Sequence, residues 1–123
     1  MSPSAAARLL LTLLLGAATG CGFARDDLTA VPDNPTFATD VKAIFDDHCN
    51  LCHGARPNRG APSWFRLDVY GDSADRGGAR GLARQALNVI KGGEMPPAAA
   101  WGDGVGPNAT RTLERWIEQG TPP

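Results

Sequence analysis

Cys49-Asn50-Leu51-Cys52-His53 limits what this chain can be more than any other stretch of it. Two thiols three residues apart, with an imidazole directly after them, serve three chemistries: a dithiol redox pair, half of a zinc site, or covalent attachment of haem. A thioredoxin-like dithiol sits in a βαβ setting, whereas the flanking segments here are helical in pattern or rich in Gly and Pro. Zinc needs four ligands, usually from a second Cys/His pair, and no Cys or His follows His53. In the third chemistry two thiols add across the vinyl groups of the porphyrin, and the adjacent imidazole ligates the iron as its proximal ligand. Only the haem reading uses every residue of the motif.

A haem iron held this way needs a second axial ligand, and the candidates are few. The chain has two methionines, and Met1 is lost with the leader described below. Met95 stands in Gly92-Gly93-Glu94-Met95-Pro96-Pro97, 42 residues after His53. A thioether is a soft ligand that raises the potential of a His-ligated iron. Glycines that permit a turn and prolines that stiffen its exit suit a ligand loop. His48 is the competitor. It lies immediately before Cys49, too close to reach the opposite haem face, and reads as a partly exposed helix-end residue.

The N-terminus reads as an address. Arg8 is the one charge in residues 1–20, followed by six leucines among the seven residues 9–15 and then Gly16-Ala17-Ala18-Thr19-Gly20-Cys21. A basic start, a short apolar core and a small-residue exit describe a secretory signal. The uncharged run 9–24 is too short for a membrane-spanning helix, which needs roughly 20 apolar residues. Residues 21–35, with charges, prolines and no periodicity, read as a tether reaching on the order of 40 Å when extended. Loss of Arg8 with residues 1–20 leaves 11 basic and 13 acidic residues, a net charge of −2. Without a basic stripe, no nucleic acid is expected as a partner.

Gly and Pro make up 25 of 123 residues, too many for a helical bundle or a coiled coil. The periodicity is nevertheless helical. Val41, Ile44, Phe45 and His48 recur at i, i+3, i+4 and i+7, behind the capping residues Thr36, Thr39 and Asp40. Leu82, Ala86, Val89 and Ile90 make a second stripe ending at Gly92-Gly93. Ala109, Leu113, Trp116 and Ile117 make a third, from about Asn108, with Gly120 as its C-cap. Trp64 to Tyr70 alternates and reads as a short extended segment, and no two-sided sheet is indicated. Asp46-Asp47 reads as a solvated face.

These residues carry two resemblances. Ala18-Thr19-Gly20-Cys21 resembles a bacterial lipobox, with Ala18 where most lipoboxes carry Leu, which implies a lipid anchor on Cys21. Gly22 is not the Asp that retains many lipoproteins at the inner membrane, so the outer membrane, facing the periplasm, is the expected location. Phe37 to Gly120, about 84 residues, is similar to small monohaem class I cytochrome c domains of lipoprotein-type bacterial cytochromes. The matching pattern is Phe37, Asp40 to Phe45, His48 to Gly54, Gly93 to Pro97 and Trp116 to Gly120. The resemblance implies an all-α, loop-rich cytochrome c-like fold, with three or more short helices around one haem c. It implies a leader at 1–20, an anchored tether at 21–35, the domain at 36–120 and a tail at 121–123. It also implies that the first and last helices cross, with Phe45 against Leu113 and Trp116, and that Trp64, Leu67 and Trp101 line the haem crevice. A backbone carbonyl, with Gly60-Ala61-Pro62 as its source, is expected to bond the second nitrogen of His53.

The function expected from this is one-electron transfer between redox protein partners outside the cytoplasm. An iron with both axial positions filled by His53 and Met95 has no place for a substrate, so neither an enzyme nor a small-molecule substrate is expected. An electron-accepting subunit of a membrane dehydrogenase or oxidase complex is the alternative. A gas sensor whose Met95 bond opens ranks below it.

Overall fold

The computed structural model describes residues 27–71, 77–97 and 104–123. The leader, Cys21 with the first part of the tether, and Trp101 lie outside the described residues. Among those described there are four α-helices and no strand, the all-helical class that the periodicity predicts.

The first helix opens at Thr36. Its hydroxyl accepts from the Thr39 N–H at 3.2 Å, and its own N–H donates to the Asp40 carboxylate at 2.9 Å. This is a reciprocal cap in which the acid falls one residue later than usual. The turn beneath it is correspondingly wide: Phe37–Val41 is π-helical, and the Thr36 carbonyl accepts from both Asp40 and Val41 at 3.1 Å. It runs directly into α1 (Lys42–His48). Phe37, Val41, Ile44, Phe45 and His48 form the buried stripe. After a break at Cys49 comes α2 (Asn50–His53), a single turn.

Helix α3 (Ala79–Lys91) starts where the loop carbonyls of Val69 and Tyr70 accept its first two N–H groups at 2.8 and 2.9 Å. Those donors have no partner within the helix. Helix α4 (Pro107–Glu118) begins with proline at its first position, where the missing N–H costs nothing. Both helices end in a Schellman motif. Gly93 and Glu94 donate back to Ile90 and Val89, and Gly120 and Thr121 donate back to Ile117 and Trp116.

The cap of α4 comes from far along the chain. Gly106 has no side chain to offer, and the Asp27 carboxylate takes its place, accepting from the N–H groups of Asn108 at 2.7 Å and Ala109 at 2.9 Å. A Cβ at Gly106 would collide with that carboxylate. Leu28, Pro32 and Asp33 add carbonyl bonds to Asn108, Arg115 and Gln119, and Pro35 is fully buried. The second part of the stretch read as a tether, from Asp27 on, is therefore an arm laid along α4. The C-terminal residues are likewise tied in. The Pro122 carbonyl accepts from Trp116 Nε1 at 2.8 Å and Phe37 N–H at 3.0 Å, and the Thr121 carbonyl accepts from the Tyr70 hydroxyl at 2.8 Å.

One apolar core joins these elements. Helix α4 packs on α3 and on the π-helical turn, where Phe37 and Trp116 meet with ring centroids 6.2 Å apart. Phe45, Leu67, Leu113 and Trp116 are each fully buried or nearly so, and burial of such a side chain stabilises by about 1.5–3 kcal/mol. The segment 64–70 turns Phe65 and Leu67 inward without forming a strand. Besides the two bonds from the start of α3, Leu67 N–H donates to the His53 carbonyl and Arg66 N–H to the Gly77 carbonyl.

Candidate functional site

Cys49 is where α1 stops and α2 starts. Its N–H closes α1 on the Phe45 carbonyl at 2.8 Å, and its carbonyl accepts from Cys52 and His53 at 3.0 and 2.9 Å. The motif is thus folded as one tight turn on the end of α1, with neither thiol in a disulfide and both partly exposed. Asn58 draws the following loop back over it. Its side chain accepts from the Cys52 thiol at 3.2 Å and donates to the Leu51 carbonyl at 2.7 Å.

The His53 ring lies against Phe65, with centroids 4.9 Å apart. Its Nδ1 is buried without a hydrogen-bond partner of normal geometry. Burial lowers the imidazole pKa, opposed by the Phe65 backbone carbonyl, which favours the protonated ring. Burial prevails, so the neutral form with one lone pair is favoured, the form that ligates a metal. The backbone group acting on His53 is that of Phe65, not one from Gly60-Ala61-Pro62 as the sequence reading had it.

Met95 lines the same place and is itself 40% exposed. The Schellman turn carries the chain off α3, and the Val89 carbonyl accepts from both Glu94 at 2.9 Å and Met95 at 3.1 Å. Two adjoining apolar cavities meet there. One, of about 270 Å³, is lined by Cys49, Cys52, His53 and Met95 with Arg59 and Pro96. The other, of about 220 Å³, is lined by Cys49, His53 and Met95 with Trp64, Leu67 and Ile90. Cys49, His53, Pro62 and Met95 line both. Among the described residues no three His, Cys, Asp or Glu side chains converge on a point that holds an ion directly.

The other sequence-predicted residues divide. Trp64 and Leu67 line the slot. Phe45, Leu113 and Trp116 belong to the helix core and line neither cavity. Trp101 and Cys21 lie outside the described residues. His48 is buried and faces the first cavity, in place of the partly exposed position expected. Phe65 and Asn58 were not singled out from sequence. The inward alternation of Phe65 with Leu67 was the signal available for Phe65, and the Pro57-Asn58-Arg59-Gly60 turn chemistry was the signal for Asn58.

Among the described residues no helix is long and apolar enough to cross a membrane. No family model, curated protein or solved structure matches the chain.

Proposed function

We propose that this chain is an exported monohaem c-type cytochrome that carries single electrons between redox proteins. One observation carries the reading: Met95, 42 residues from His53 in sequence, lines the same apolar slot as His53, Cys49 and Cys52. Two partly exposed thiols, a half-buried imidazole whose neutral form is favoured and a thioether suit a haem better than a bare ion. When bound, haem supplies a one-electron Fe(II)/Fe(III) couple.

The chain's own residues do the rest. Cys49 and Cys52 anchor the group covalently. His53 and Met95 would supply an imidazole and a thioether to the iron, leaving no protein-free position for a substrate. Leu67, Val89 and Ile90 would give the group an apolar wall, which favours the less charged reduced state. The Schellman turn before Met95 and the α1–α2 junction before His53 hold both ligands on backbone hydrogen bonds, so little has to move when an electron arrives. Cys21 as a lipid anchor and the periplasmic side of a membrane, the outer one by preference, complete the reading.

The test is a pyridine haemochrome assay on full-length protein exported in a host competent for cytochrome c maturation. One haem per chain, resistant to acid-acetone extraction, is expected. Protein that matures without covalent haem refutes the proposal.

A further inference from the structure

An unbroken file of aromatic rings leads from the surface to His53. Trp64 is 57% exposed, and its ring meets Phe65 edge-on with centroids 5.6 Å apart. Phe65 is buried and lies 4.9 Å from the His53 ring. The file is held on three sides: Phe65 N–H donates to the Pro62 carbonyl at 3.1 Å, Arg66 N–H to Gly77 at 2.8 Å, and Leu67 N–H to His53 itself at 3.1 Å. A large exposed indole is the residue type that most often anchors a protein interface.

The charge along this stretch of the chain has one sign. Between His53 and Asp68 the chain carries Arg56, Arg59 and Arg66 and no acid, although the whole chain is net negative. Arg66 is engaged by Asp68 through two 2.6 Å bonds. Arg56 and Arg59 are exposed, and neither makes an ion pair among the described residues. Arg59 lies on the rim of the slot, in a turn closed by Ala61 N–H on the Asn58 carbonyl at 3.0 Å.

We propose that Trp64 is an electron port: a redox protein with an acidic rim docks on it, steered by Arg56 and Arg59, and the electron passes by way of Phe65 and His53. This rests on the cytochrome reading and adds to it the face and the route. One electron leaves the ferrous centre, which becomes ferric, and reduces the oxidised centre of the partner by one. No bond forms or breaks, and no proton moves. Transfer rates fall steeply with each gap an electron must cross, and rings in contact shorten the gaps. The opposite charges raise the encounter rate at low salt.

The test uses full-length holoprotein reduced beforehand and an acidic blue-copper protein in its Cu(II) form as acceptor. Stopped-flow rates are compared at matched driving force, using the potential measured for each variant. Trp64→Ala is expected to slow the reaction by about tenfold, the loss typical of truncating an aromatic anchor. Trp64→Phe keeps most of the rate, and Trp64→Leu, apolar but without a ring, stays slow. Arg56→Gln with Arg59→Gln lowers the rate at low salt, and the deficit closes at high salt, where such charges are screened. A Trp64→Ala rate equal to wild type, with haem in place, overturns the port alone. A Leu variant as fast as the Phe variant overturns the aromatic route. Wild-type protein without covalent haem overturns the cytochrome reading and the port together.

Discussion

Replacing Gly93 by Ala isolates the turn that delivers Met95. Gly93 has φ +72°, and a Cβ built there meets nothing within 4 Å. Steric contact with the rest of the molecule therefore contributes nothing, and the penalty is the left-handed backbone itself, about 1–2 kcal/mol for an L residue. Asn tolerates this region better, so Gly93→Asn is expected to cost less than Gly93→Ala. With a urea m-value of about 1–3 kcal/mol/M, a loss of about 1 kcal/mol lowers the unfolding midpoint by roughly 0.3–1 M. Far-UV circular dichroism of the helices reads that midpoint. Because the Val89 carbonyl holds the N–H of both Glu94 and Met95, loosening the turn also loosens Met95. The sulfur-to-iron band of the oxidised holoprotein in the near infrared is expected to weaken in the same order, Ala more than Asn. Equal midpoints for the Ala and Asn variants would refute the argument, because the cost would then have a source other than φ.

Two further outcomes are expected. Asp27→Ala removes the cap of α4 and is expected to cost about 1 kcal/mol at neutral pH, the usual value of an N-cap. Burial pushes the Asp27 carboxyl up, but the N–H groups of Asn108 and Ala109 outweigh it and hold the pKa below its ordinary 3.8. A depressed carboxylate stabilises fully above the unfolded value and loses that contribution as pH falls through the folded one. The gap between wild type and variant in urea unfolding should therefore be full at pH 7 and shrink as pH falls below 3.8; a gap independent of pH would rule out the charged cap. Met95→Ala is expected to abolish the near-infrared band, lower the reduction potential and admit CO to the iron, with haem still attached through Cys49 and Cys52. Met95→His should stay six-coordinate, also at a lower potential. An unchanged spectrum and potential in Met95→Ala would remove Met95 from the ligand set.

What the sequence revealed was local, and what it hid was not. The ends of α3 and α4 were legible because a Schellman turn is written in consecutive residues, with a glycine where φ must be positive. Met95 was legible because a methionine flanked by Gly-Gly and Pro-Pro is an odd choice for a core position. The arm was not legible: Asp27 caps a helix 81 residues away, and no window of periodicity spans that distance. Nor was the burial of His48 read, although it closes the same buried stripe as Ile44 and Phe45. The alternation of Trp64 to Tyr70 held the signal for the inward faces of Phe65 and Leu67, but Phe65 was not singled out from it. It suggested an extended segment because pattern alone does not say whether a neighbouring strand exists to form a ladder.

The arm along α4 also sets a length. Were all of residues 21–35 free, the domain would range some tens of ångströms from its anchor, whereas pinning the chain at Asp27 leaves five residues between that point and Cys21. Fully stretched, that span is on the order of 20 Å, less than the width of the domain itself. A lipid at Cys21 would then work as a short leash, with the start of α4 as the end nearest the bilayer. Effective concentration falls off once a linker fails to span two sites, so a carrier anchored in this way would meet partners by diffusing in the plane of one membrane. Traffic across the periplasm would fall to whichever partner is free to move.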